Sequence, residues 1–196
     1  MAAICPSVSD KWHLLTYHIE TWLALVMLAV TVIGLVGIVA GLLRRDENVL
    51  RATTGLLCLA GLGVAGYIFF NTMILDKPPT CGSGGCGVVD SSKYANPGGF
   101  EIFDRPLLHM STFGLGGYLM IIAATLWRGD NGRLAAFGLS LFGFLVSMVL
   151  TYIELWDLCS VCQWCVTSAL ILTLLFIVST CRLVAFYGND DTEAEA

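Results

Sequence analysis

Charge is scarce in this chain. Only 13% of its 196 residues are Asp, Glu, Lys or Arg, against 57% hydrophobic residues, and the mean hydropathy is +0.79. A soluble fold of that composition would be covered in exposed apolar surface, so the shortage excludes one and makes this an integral membrane protein. An excess of positive charge is lacking too. With 10 basic and 15 acidic residues the net charge is -5, which argues against nucleic acid as a partner. Also missing are the ten-residue segments of alternating polarity that mark a membrane β-barrel, any internal repeat, and, in residues 1–22, the basic n-region and cleavage site of a secretory signal.

What is present is five apolar stretches, 23–43, 52–70, 107–127, 134–156 and 161–180. Each approaches or exceeds the roughly 20 residues a hydrocarbon crossing needs. They are apolar all round, with Gly and Ala scattered through them, and so read as helices. Glycines at 61, 63 and 66 and at 114, 116 and 117 mark two helices able to pack closely. The expected fold is one all-α bundle of five spans. Arg44, Arg45, Arg51, Arg128, Arg133 and Arg182 all fall on one side of it, whereas Lys11, Lys77, Lys93 and Arg105 are spread over longer segments opposite. Basic residues stay cytoplasmic, which predicts an outer N-terminus, an outer loop over 71–106 and a cytoplasmic C-terminus. Trp12, Tyr17 and Trp22 suit an interfacial segment over 1–22. The acidic residues Asp190, Asp191, Glu193 and Glu195 suit a solvated, disordered tail over 184–196.

This topology sorts the 8 cysteines. Cys58 and Cys181 lie within the membrane as small buried hydrophobes, and Cys5, in the outer tail, is free or paired without assigned function. The other five gather at the outer face, where an oxidising compartment lets disulfides persist. Cys162 and Cys165 stand at i and i+3 in the first turn of the last span, about 5–6 Å apart on one face, which a disulfide can bridge. Unpaired N–H groups at a helix start favour the reactive thiolate, and Trp156 and Trp164 offer an aromatic wall for a flat lipid-soluble ring. Cys81 and Cys86 enclose only Gly82, Ser83, Gly84 and Gly85. Closing so small a ring contributes about 2 kcal/mol, and exposed, strained disulfides are the labile ones; a stapled loop that never turns over fits that pair equally well. Cys159-Ser-Val-Cys162 makes a competing frame.

The string Cys81-Gly-Ser-Gly-Gly-Cys86-Gly-Val-Val-Asp-Ser91-Ser92-Lys-Tyr94-Ala95, followed by Pro106 and a span rich in Gly and Tyr, resembles the vitamin K epoxide reductase family. So does Tyr152-Ile-Glu154-Leu running into Cys162-Gln-Trp-Cys165-Val-Thr-Ser-Ala. The resemblance implies a four-helix core over 50–183, with 23–43 as an extra N-terminal span, and an electron relay between a thioredoxin-like protein and a quinone. Cys81 would exchange with the partner, Cys86 would attack Cys162, and Cys165 would face the quinone, ubiquinone or menaquinone. Bacterial members oxidise the partner, and that direction is expected here, in an inner membrane with the redox cysteines on the extracytoplasmic side. Some relatives carry a fused thioredoxin-like domain; here the partner is expected in trans. Gln163 departs from the Pro common in bacterial relatives, and the Val-Thr-Ser-Ala that follows favours the 162/165 frame over 159/162.

Other polar residues carry weaker claims. Ser91 and Ser92 match the family's serine position, where they would cap or orient a short helix over the site; an ordinary helix cap is the plain alternative. His109 stands where it would hydrogen-bond a quinone carbonyl or move a proton, though a histidine at an interface is more often satisfied by water or backbone. Glu154, within a span, is a functional candidate by default, with snorkelling to the interface as the alternative. Asp90 and Asp157 read as loop and N-cap residues. Two other classes compete: a metal or iron–sulfur protein on Cys159-x2-Cys162-x2-Cys165, which lacks a fourth cysteine in the run, and a structural protein whose disulfides brace a loop. No metal ligand set is expected. The quinone enzyme of the bacterial disulfide-forming system performs the same net reaction, but both its cysteine pairs lie in outer loops.

Overall fold

A computed structural model of the chain describes residues 21–79, 85–95, 101–102, 105–106 and 109–186. Within these, helices α1 (Thr21–Arg44), α2 (Glu47–Phe69), α4 (Met110–Leu126), α5 (Asp130–Trp156) and α6 (Gln163–Phe186) form an antiparallel bundle, with a short helix α3 (Gly85–Asp90) and a two-stranded hairpin, β1 (Glu101–Ile102) on β2 (Arg105–Pro106), between α2 and α4. The hairpin is a small addition to the expected all-α architecture. By length and composition α1, α2, α5 and α6 are able to cross a membrane, whereas α4 has only 17 residues. At 1.5 Å per residue α4 spans about 25 Å, a little under a typical hydrocarbon core.

The burial pattern is that of a protein solvated by lipid. Leu28, Leu43, Leu59, Phe142, Val149 and Val184 point outward, while Thr53, Thr54, Ser140, Thr167 and Ser179 are buried. Away from water each inward hydroxyl needs a partner. Thr53, Thr54 and Thr167 donate to the carbonyls four residues back, at 2.8, 2.9 and 2.8 Å. Between these helices lies a core of Leu50, Leu57, Tyr118, Ile121, Ile171 and Leu175. Small residues set the approach of α2 to α4: a Cβ on Gly61 would stand 2.2 Å from the Tyr118 ring, and one on Gly114 would be 3.5 Å from Ala65. Gly63, Gly116 and Gly117 face no such neighbour. Along α1, added Cβ atoms at Gly37 and Gly41 would collide with Thr53 and Leu50, so these glycines bring the first helix onto the second.

The sequence sets the helix ends locally. Asp46 caps α2 by accepting from Asn48 N–H at 2.9 Å, which starts that helix before the expected residue 52. At its other end α2 widens into a π-turn, Phe70–Ile74, whose Leu75 N–H reaches Phe70 O at 3.1 Å. Asp157, expected at an N-cap, closes the C-terminal end of α5 instead, its N–H donating to Ile153 O at 2.9 Å.

One end of the bundle is locked by buried charge. Glu47 meets Arg133 at 2.7 Å and Arg182 at 3.1 Å, and Arg133 also binds Asp130 and donates to Phe186 O. Arg51 reaches over to the last carbonyls of α4, Thr125 O at 3.0 Å and Leu126 O at 3.2 Å. Both Arg133 and Arg182 are almost fully buried. Replacing Glu47 by Gln leaves two guanidinium groups without their shared carboxylate, and breaking such a pair costs about 3 kcal/mol. The expected result is a fall of several degrees in Tm in detergent, smaller for Glu47→Asp.

At the opposite end α3 rests on the turn that leads into α6. A Cβ on Gly85 would stand 2.5 Å from Val161 O, so only glycine admits this approach. Gly85→Ala therefore lifts α3 from the turn. The expected outcome is a several-fold faster maleimide labelling of Cys162, which is 3% exposed in the native fold, without loss of the helical circular dichroism.

Candidate functional site

Helices α2, α4, α5 and α6 diverge toward the end covered by α3 and enclose a cavity of about 300 Å³. Its walls are apolar, with Ile68, Phe113, Met120, Phe142, Val146 and Leu150 among them. Polar groups collect at the end under α3, where Ser92, His109, Glu154 and the sulfurs of Cys86, Cys162 and Cys165 belong to the lining residues. An apolar slot with a few polar groups at one end suits a flat ring carrying carbonyls and a hydrocarbon tail.

Cys162 immediately precedes α6, and its carbonyl accepts Val166 N–H at 3.0 Å, so it acts as the helix N-cap with Cys165 one turn inside. Gln163 thus occupies the first helical position, where proline is also accepted because that N–H has no helical partner. Cys162 and Cys165 are both free thiols, whereas Cys86 and Cys159 are both in disulfides. The disulfide commits the Cys159 sulfur that an iron–sulfur site would need. Cys159 itself sits in the turn at a φ of 49°, a left-handed conformation that reverses the chain between α5 and α6. Cys5 and Cys81 lie outside the described residues.

Glu154 is turned inward and is 4% exposed, so it does not snorkel. Its Oε2 accepts the Cys162 N–H at 3.2 Å, and its carboxyl lies against the Cys165 side chain, which in turn meets the Cys162 side chain. Periodicity alone could not have shown this contact, because it depends on how the turn over 157–162 folds back.

His109 is also buried. Its Nδ1 lies 2.9 Å from Ser111 Oγ and accepts Ser111 N–H at 3.3 Å, capping α4. Its Nε2 is 3.2 Å from Asp90 Oδ1, which also accepts from Thr72 Oγ1 at 3.1 Å. Asp90, expected as a loop residue, thus ends α3 and ties it to the π-turn and to the start of α4. Ser92 and Ser91 donate to Val89 O and Gly87 O, at 2.7 and 2.8 Å, so they close the C-terminal end of α3. Trp164 is not among the cavity's lining residues. One residue before Cys165 is about 100° around the helix, and its ring packs on Tyr67 with centroids 4.5 Å apart. Trp156 stacks on Tyr152 at 5.0 Å, with both rings largely exposed.

Comparison with individual curated proteins yields no match to this chain. Comparison with protein families matches residues 52–180 to the Vitamin K epoxide reductase family. That range takes in α3, α4 and α5 whole and most of α2 and α6, so it covers the greater part of each cavity-forming helix. The chain is therefore a multi-pass membrane protein that belongs to the vitamin K epoxide reductase family, a family of oxidoreductases.

Proposed function

We propose that the protein is a quinone-linked thiol–disulfide oxidoreductase that draws electrons from a thioredoxin-like partner acting in trans and so supports disulfide formation. The observation that carries this reading is the meeting of Cys86, Cys162 and Cys165 in the wall of one apolar cavity. Cys81 exchanges with the partner, which leaves Cys86 as a thiolate. Cys86 then attacks Cys162 of a closed Cys162–Cys165 disulfide, and Cys165 departs as the thiolate facing the cavity. The partner's second thiol releases Cys81 and leaves the partner oxidised, and attack of the freed Cys81 on Cys86 restores the outer disulfide and leaves both inner thiols reduced. Free thiols at 162 and 165 beside a disulfide-bonded Cys86 correspond to that last state.

Ubiquinone or menaquinone, when bound, supplies a two-electron, two-proton acceptor. The cavity's apolar walls fit its ring and tail, and His109 and Ser92 are the residues assigned to its carbonyl side. Trp164 supports that assignment indirectly, by bracing the start of α6 against Tyr67. Burial of the site excludes water from the exchanging sulfurs, and holding them together turns two encounters into intramolecular steps. The five apolar helices cross an inner membrane, with the arginine-rich end in the cytoplasm, the N-terminus and cysteine cover outside, and lipid against the exposed leucines.

Purified protein should reduce a short-chain ubiquinone with a reduced thioredoxin-like substrate. Serine at 81, 86, 162 or 165 should lower turnover at least a hundredfold, whereas Cys159→Ser should retain it and lose only thermal stability. Essential Cys159 with dispensable Cys165 would overturn the assignment of the inner pair, and inactivity of the wild type with every quinone would overturn the function.

A further inference from the structure

The exchange steps leave Glu154 without a task, yet the fold holds a carboxyl group at the sulfurs. It stands two residues from the end of α5, 4% exposed, against both cysteines of the inner pair. Oε2 accepts the Cys162 N–H at 3.2 Å, the Cys165 side chain lies against the carboxyl, both line the same cavity, and the Glu154 carbonyl accepts Ser160 N–H at 3.1 Å. The residue is thus fixed from its side chain and its backbone by the turn that presents Cys162. A neutral oxygen would satisfy one N–H equally well, and burying an ionisable group is costly. An N–H acceptor alone does not explain a carboxyl here, whereas a site that must take up a proton from sulfur does.

We infer that Glu154 is the catalytic proton carrier of the Cys162–Cys165 pair. This rests on the proposed quinone-linked function for the final acceptor. When the two thiols close, two S–H bonds break and one S–S bond forms, so the pair gives up two electrons and two protons. The electrons pass to the quinone-class acceptor. The proton of Cys165 goes to the Glu154 carboxylate, and the proton of Cys162 follows by way of the neighbouring Cys165 sulfur once the carboxyl has been emptied. Both protons end on the acceptor as a hydroquinone, and Glu154 returns to its starting state. Other ionisable side chains on this cavity, besides the cysteines, are Asp90, Tyr94, His109 and Tyr118. His109 and Asp90 lie against each other and against Ser111 and Thr72, Tyr94 donates to Asp157, and the Tyr118 hydroxyl pairs with Ser168 at 2.8 Å, so the contact to the sulfurs belongs to Glu154.

The test compares wild type with Glu154→Gln and Glu154→Asp, as full-length protein in detergent. Iodoacetamide labelling of Cys165 is followed by mass spectrometry from acid to alkaline pH, with no quinone added. In the wild type the rate should rise in two steps, the lower one belonging to the carboxyl. Glu154→Gln should lose the lower step and react about tenfold or more slowly near neutral pH, in line with loss of a general base, while Glu154→Asp keeps both steps. In steady-state quinone reduction Glu154→Gln should lower kcat by a similar factor with KM within about twofold. A lower step that survives in Glu154→Gln, or is absent from the wild type, overturns the inference. If Glu154→Gln does not fold, infrared difference spectra of the wild type decide. On lowering the pH a protonated-carboxyl band should appear in step with the lower labelling step and be displaced in Glu154→Asp, and a lower step with no matching carboxyl band overturns the inference. A wild type that reduces no quinone but shows the two-step labelling would remove the proposed function and leave Glu154 as the proton acceptor of Cys165.

Discussion

Where two membrane helices join, the backbone groups freed at the turn must find partners within the protein. The six-residue turn between α5 and α6 is where this chain meets that demand at the candidate site. Glu154 takes the Cys162 N–H, its own carbonyl takes Ser160 N–H, and Leu158 N–H reaches Ile153 O at 3.0 Å. Once those bonds are made, Cys162 has nowhere to sit except at the mouth of the cavity, with Cys165 one turn deeper. The approach of Gly85 to Val161 then sets α3, and with it Cys86, on the same turn. The satisfied backbone thus places three sulfurs and a carboxyl together.

The two ends of the bundle solve different problems with the same kinds of residue. At the arginine-rich end, charges are paired closely enough to close the structure. At the cavity end, ionisable groups are buried singly or in polar pairs, as with Glu154 and with Asp90 beside His109, and the space between helices is left open. A protein that only braced a loop would have no reason to keep an apolar cavity of about 300 Å³ beneath its disulfide cover. Open volume costs packing contacts, so its presence next to free thiols favours a reaction site over a scaffold.

Much of this was legible in the residues. Runs of apolar side chains marked the helices of the bundle, four of them long enough to cross a membrane among the described residues, and Tyr152 to Leu155 running into Cys162 and Cys165 carried the family likeness. Helix starts at Glu47 and Met110 were readable in principle from their caps, Asp46 and His109. Other features depend on tertiary contact and leave no local pattern. The tie of the π-turn to Asp90 and the contact of Asp90 with His109 each join separate segments, and the inward turn of Glu154 depends on how the turn over 157–162 folds back. Trp164 shows the converse error. Adjacency to Cys165 in sequence suggested adjacency in space, yet one step along a helix turns a side chain away from its neighbour's face.

Glycine on one side and a peptide oxygen on the other form the joint between α3 and the α6 turn. At that contact the registry comes from shape, while α3 and the residues after it are held by polar bonds, Asp90 to His109 and Thr72 and Tyr94 to Asp157. Bonds of that kind exchange for bonds to water, as apolar packing does not, so a movement of Cys86 between water and bundle leaves the apolar core between the helices undisturbed.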